Sequence, residues 1–109
     1  MDSLGDSAVH TRTILRPHGV FAVISPFNFP MALAAGPSGA ALMAGNTVIL
    51  RPSPLTPISS LIFGAAADAA GLPPGVLSVV VEAGASGAEM LTTDPAIDMV
   101  SFTGSTTVG

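Results

Sequence analysis

The five residues Val20-Phe21-Ala22-Val23-Ile24 are apolar at every position. A strand with one wet face alternates apolar and polar; a strand without alternation is covered on both faces, as in a parallel sheet with helices above and below. Three further runs have this character: residues 47–50 (Thr-Val-Ile-Leu), 77–81 (Leu-Ser-Val-Val-Val) and 99–102 (Met-Val-Ser-Phe). The segments between them read as helices. Residues 31–44 are rich in Ala and Leu and stop at Gly45-Asn46, a left-handed terminator. Gly36 and Pro37 inside that segment predict a kink or a late start. Residues 57–70 form the clearest helix, with Thr56 as its cap, Pro57 in its first turn and Gly71 at its end, ahead of Pro73-Pro74. Residues 85–93 make a third, stopped near Pro95. The order β-α-β-α-β-α-β predicts an α/β fold: a right-handed parallel sheet, Rossmann-like and doubly wound, but partial. Four strands stand where a full dinucleotide-binding fold has roughly five or six. Residues 103–109 read as a glycine-rich turn and the first turn of a helix, so the expectation is a truncated sheet. Residues 1–10 are expected to be disordered or an arm, residues 11–15 a short extended piece, and residues 11–109 the folded unit.

Composition narrows the function. Hydrophobic residues make up 49% of the 109 and charged residues 9%, against about 25% charged in ordinary soluble domains, so the chain is no disordered tail. Three Arg, no Lys and seven acidic residues give a net charge of −4. Such a chain cannot form the basic patch that nucleic acid or an acidic membrane surface needs. With no cysteine there is no disulfide, thiolate metal site or thiol nucleophile. The uncharged stretch 17–50 outruns the ~20 residues of a membrane helix, but Pro26, Pro30, Pro37 and several glycines interrupt it. Backbone groups freed by such breaks have no partner in lipid. The first ten residues carry Asp2 and Asp6 and no apolar core, unlike a secretory signal. A cytoplasmic protein without membrane or nucleic-acid partners is expected.

Ligands of open α/β sheets bind beyond the carboxyl ends of the strands. Four loops lie there: residues 25–30, 51–56, 82–87 and 103–109. A phosphate-bearing ligand would use free amides, hydroxyls and close-approach glycines in them, although Gly and Ser also simply build turns. Asn28 sits in Ser-Pro-Phe-Asn-Phe-Pro. Its carboxamide could offer N–H to a developing oxyanion, or could hydrogen-bond its own backbone in a turn; spacing alone favours the turn. Arg51 could fork onto a phosphate or ribose, or pair with Glu82 at the end of the neighbouring strand; the residues alone leave both open. His10 and His18 have no partner pattern and no metal site is expected. Asp68, Asp94 and Asp98 read as solubilising charges.

Four segments, in order, resemble the aldehyde dehydrogenase family. Residues 19–30 (GVFAVISPFNFP) are similar to its GVVAVISPFNFP, residues 44–53 (AGNTVILRPS) to AGNTVVLKPS, residues 70–77 to AGLPPGVL, and residues 102–109 (FTGSTTVG) to FTGSTxVG. The resemblance covers residues 14–109 and implies part of a cofactor-binding domain in an enzyme oxidising an aldehyde to an acid with NAD or NADP. It implies a small-molecule aldehyde as partner and a homo-oligomeric complete enzyme. By motif, Asn28 is implied as the oxyanion amide. Ser105 and the amides after Gly104 would face the pyrophosphate, and Gly109 would close the turn. Ser25, Pro26 and Phe27 would line the nicotinamide ribose; Arg51, Ser53 and Gly87 would lie near the adenosine. Arg51 stands where Lys is usual and Pro54 where Glu is frequent. Loss of that acid beside an Arg is compatible with a 2′-phosphate, which keeps NADP in view. Glu82 replaces a usual glycine and adds negative charge at the cofactor edge. The family's catalytic Cys and water-activating Glu belong to downstream segments, so the 109 residues alone are expected to be inactive. Two other readings remain: a dinucleotide- or phosphate-binding module without catalysis, and an assembly partner acting through an open sheet edge.

Overall fold

The computed structural model describes residues 12–109; the expectations for residues 1–10 and for His10 lie outside the described residues. Seven elements follow in order: β1 Val20–Ile24, α1 Ala32–Met43, β2 Thr47–Arg51, α2 Ile58–Ala69, β3 Leu77–Val79, α3 Ser86–Thr93 and β4 Met99–Phe102. The strands form one sheet in the order β3-β2-β1-β4, and every pairing is parallel. The chain therefore winds outward from β1 through β2 to β3, then crosses back to place β4 on the other side of β1.

The absence of alternation in β1 has the anticipated cause. Val23 packs with Val48, Leu50, Ala34 and Ala41 on one face, with Phe21, Phe63, Leu77 and Val79 around them. Ala22 and Ile24 pack with Leu91 on the other, beside Ile49, Ala88 and Ile97. Helices α1 and α2 thus cover one face and α3 the other. Leu50, Val23 and Val48 are at most 1% exposed, each such side chain contributing about 1.5–3 kcal/mol.

Helix α1 runs from Ala32 to Met43 with Pro37 inside it, neither starting late nor breaking at Pro37. Proline costs one backbone bond and a steric clash, but Ala34, Ser38 and Ala41 are buried along one stripe, and that packing holds the helix together. Thr56 does not cap α2: Pro57 occupies the cap position without a side-chain bond, and the Thr56 hydroxyl instead reaches the Phe27 carbonyl at 3.4 Å. Strand β3 is shorter than the run 77–81. Val80 still donates its N–H to Leu50 O at 2.9 Å, after which the chain leaves the ladder and carries Glu82 toward Arg51. At residues 103–109 the amides of Val108 and Gly109 both bond Ser105 O at 3.1 Å, closing one turn.

Strand β4 borders the sheet and is partly open, with Met99, Val100 and Phe102 between 37% and 41% exposed. None of the described helices is long and apolar enough to cross a membrane.

Candidate functional site

The carboxyl ends of β1 and β4 lie side by side, since Ile24 pairs with Phe102 and Thr103 N–H bonds Ile24 O at 3.1 Å. Successive connections leave β1 toward β2 and return to β4, so this is where the winding reverses. Such a reversal opens a crevice between neighbouring loops. The loop after β1 carries Ser25 to Pro30 and the loop after β4 carries Thr103 to Gly109, so the Asn28 segment and the glycine turn share one rim. Beneath that rim a cleft of about 380 Å³ is lined by Ile24, Ala85, Ala88, Phe102, Val108 and Gly109, with the polar Glu89 and Thr92 also on its wall. Its walls are mostly apolar, as binding clefts usually are.

Asn28 is exposed, and no described residue bonds its carboxamide. The turn in which it would bond its own backbone is absent. The bend comes from the next residue: Phe29 has φ +52°, an unfavourable conformation for an aromatic residue, and its carbonyl accepts the Leu33 N–H at 3.0 Å at the start of α1. Phe27 and Phe29 are 59% and 73% exposed. Ser25 is buried, its hydroxyl without a partner among the described residues, while its N–H bonds Arg51 O at 3.1 Å. Pro26 is half-buried beside it.

Ser53 is buried and its hydroxyl accepts the Leu55 N–H at 3.3 Å, so it shapes its own turn. Gly104 has a packing reason, since a Cβ there would run into the Phe102 ring; a Cβ on Gly109 would press on the same ring at 3.1 Å. The glycines let the turn fold over that ring, and Ser105 stays exposed at its outer end.

Of the two roles open to Arg51, the structure contains the ion pair. Its Nη2 lies 2.7 Å from Glu82 Oε1, its Nε donates to the same oxygen at 2.8 Å, and Nη2 also donates to Gly84 O at 2.6 Å. The Glu82 carboxylate accepts three more bonds, from Gly87 N–H at 2.7 Å, Ala88 N–H at 3.2 Å and, more weakly, the Ser86 hydroxyl at 3.4 Å. Gly87 and Ala88 belong to the first turn of α3, where amides lack intrahelical partners and favour negative charge. Glu82 is thus an acidic cap donated from outside the helix. The Gly87 amide above all, then Arg51 and the Ala88 amide, hold its carboxyl below the ordinary 4.5, against some desolvation.

A lowered folded value gives stability that is present above pH 4.5 and lost as pH falls through the folded value. Wild type is therefore expected to lose stability more steeply than Glu82→Gln on acidification below pH 4.5. Urea melts of both at pH 6, 4 and 3 measure this; parallel losses would dismiss the cap as a stabilising group.

Sequence reading missed Asn46 as more than a helix stop. It is 5% exposed. Its Oδ1 accepts the N–H of His18 at 2.6 Å and of Gly19 at 3.1 Å, and its Nδ2 donates to Ala41 O at 2.9 Å. An Asn directly after a helix-ending glycine and before a strand was the available signal.

Comparison with known proteins agrees with the fold. Residues 2–109 match the model of the aldehyde dehydrogenase family. The chain is 50% identical over 94 residues to N-succinylglutamate 5-semialdehyde dehydrogenase 1 of Caulobacter vibrioides, covering 86% of this chain and 20% of that one. It is 46% identical over 113 residues to succinate-semialdehyde dehydrogenase [NADP(+)] 1 of Schizosaccharomyces pombe, covering 96% and 22%. A solved NAD-dependent aldehyde dehydrogenase from Sinorhizobium meliloti superposes with TM-score 0.83 at 41% identity, covering 86% of this chain and 19% of that one. The chain spans about a fifth of the length of the curated relatives it matches. A parallel sheet whose winding reverses beside the Asn28 loop, a glycine turn folded over Phe102 and a matching family model across nearly every residue lead to one conclusion: the chain belongs to the aldehyde dehydrogenase family.

Proposed function

We propose that these residues form the dinucleotide-gripping layer, and supply the oxyanion amide, of an enzyme that oxidises an aldehyde to a carboxylic acid with NAD or NADP. The observation that carries the reading is the shared rim at the β1–β4 reversal, with an exposed, unbonded Asn28 on one side and the glycine turn and apolar cleft on the other. The cleft's apolar walls and size suit a nucleobase, with Ala85, Ala88, Phe102 and Val108 against its faces. The turn from Gly104 to Gly109, with Ser105, would present N–H and hydroxyl groups to the pyrophosphate. Pro26 and Phe27 would wall the nicotinamide side. A bound dinucleotide would supply the hydride acceptor for the substrate carbon. Asn28 would donate its amide N–H to the substrate oxygen as that oxygen gains charge, held in place by the bend at Phe29. The thiol nucleophile must come from outside these residues, since they contain no cysteine.

Relatives named for NAD and for NADP both match, which supports a nicotinamide dinucleotide without choosing between the two. The expected result is twofold. Calorimetric titration detects NAD or NADP binding to the chain, and the chain mixed with aldehyde and dinucleotide gives no rise in the absorbance of reduced nicotinamide. Absence of any dinucleotide binding would overturn the binding role; reduced nicotinamide from this chain alone would overturn the external-thiol assignment.

A further inference from the structure

NAD and NADP differ by a phosphate on the adenosine ribose, a group carrying close to two negative charges. Holding it takes a cation and N–H donors aimed at one point. Arg51 is the only Arg or Lys beyond residue 16. It ends β2, which pairs directly with β1, on the side of the sheet covered by α3. Its guanidinium already binds the Glu82 carboxylate twice, at 2.7 and 2.8 Å, and the Gly84 carbonyl once. The Gly87 and Ala88 amides point at the same carboxylate. The donors that could grip an added phosphate there are therefore taken by a resident anion.

Resting on the dinucleotide reading above, we propose that Glu82 is a specificity-determining residue: it neutralises Arg51, fills the first turn of α3 and selects NAD over NADP. The 2′-hydroxyl of NAD meets no penalty beside a carboxylate, which accepts a hydrogen bond from it. A 2′-phosphate meets a like charge and donors already in use, so discrimination comes from repulsion as much as from attraction. Gly87 keeps the arrangement possible, because a Cβ there would lie 2.9 Å from Glu82 Oε2 and 3.0 Å from its Cδ. Pro54 beside Arg51 left NADP in view from the sequence; that reading needed a free guanidinium, and Arg51 does not offer one.

The test is calorimetric titration of NAD and of NADP into the full chain and its Glu82→Gln and Glu82→Ala variants, at one fixed salt concentration, with circular dichroism confirming each fold. Wild type is expected to bind NAD at least roughly tenfold tighter than NADP. The variants are expected to narrow that ratio by about tenfold, mainly through tighter NADP binding, as removal of a repulsive element should. Equal affinity of wild type for both dinucleotides overturns the proposal, and so does an unchanged ratio in folded variants. Should neither variant fold, the wild-type ratio decides alone. Binding of neither dinucleotide overturns the reading on which the proposal rests, a result distinct from NADP binding as well as NAD.

Discussion

Replacing Asn46 by Ala is expected to remove about 2–4 kcal/mol of stability, the size of effect that follows when a buried hydrogen-bond hub is deleted. The side chain ties three separate points: the chain entering β1 through His18 and Gly19, and the last turn of α1 through Ala41. Its own N–H also bonds Ala41 O at 3.0 Å. Truncation leaves the two N–H groups of His18 and Gly19 short of a partner, while the Ala41 carbonyl keeps the bond from the residue-46 N–H. Water reaches the His18 and Gly19 amides in part, which keeps the loss below the sum of two fully buried orphans. Position also matters. Asn46 sits one residue before β2, and Thr47 N–H bonds Gly19 O at 3.0 Å, so the side chain helps set the register in which Val20 faces Thr47. Urea denaturation gives the measurement; a midpoint shift worth less than about 0.5 kcal/mol would show that the clamp is dispensable.

Replacing Asn28 by Ala is expected to do the reverse. Stability should stay within about 0.5 kcal/mol, because an exposed carboxamide with no described partner holds nothing in place. In the complete enzyme, kcat should fall by about 10²–10³, the loss seen when one oxyanion donor is removed. Dinucleotide affinity should hardly move, since the cleft and the glycine turn lie on the opposite side of the rim. Steady-state kinetics together with a binding titration separate the terms. A drop in dinucleotide affinity with kcat preserved would reassign Asn28 to the cofactor; a large stability loss would make it structural. Two asparagines in one short chain are thus expected to split cleanly, one for folding and one for chemistry.

That split was not legible from spacing. Asn28 lies between two prolines and two Phe, a context that suggests a self-bonded turn, whereas Asn46 follows a helix-ending glycine and looks like punctuation. Which carboxamide is bonded depends on what the rest of the chain brings near it: residues 27 and 28 positions away for Asn46, and none of the described ones for Asn28. The same holds for Thr56, a good local cap by type that gave way to Pro57, and for Pro37, a helix breaker by type that the buried stripe of α1 overrode. The resemblance implied candidate site residues, while the residues alone left Arg51 open between a phosphate or ribose and Glu82; the fold brings Glu82 to it.

Strand positions, helix positions and the parallel arrangement were determined by sequence alone, because they follow from short-range periodicity, from proline and glycine stereochemistry, and from the need to bury strands that are apolar on both faces. Which of the open partners each polar group takes was decided only by the tertiary structure. Glu82 meets Arg51 across 31 residues because two adjacent parallel strands end at the same rim while α3 begins there. Hydrogen bonds reach only about 3 Å, so their pairing is set by where the whole fold delivers each group.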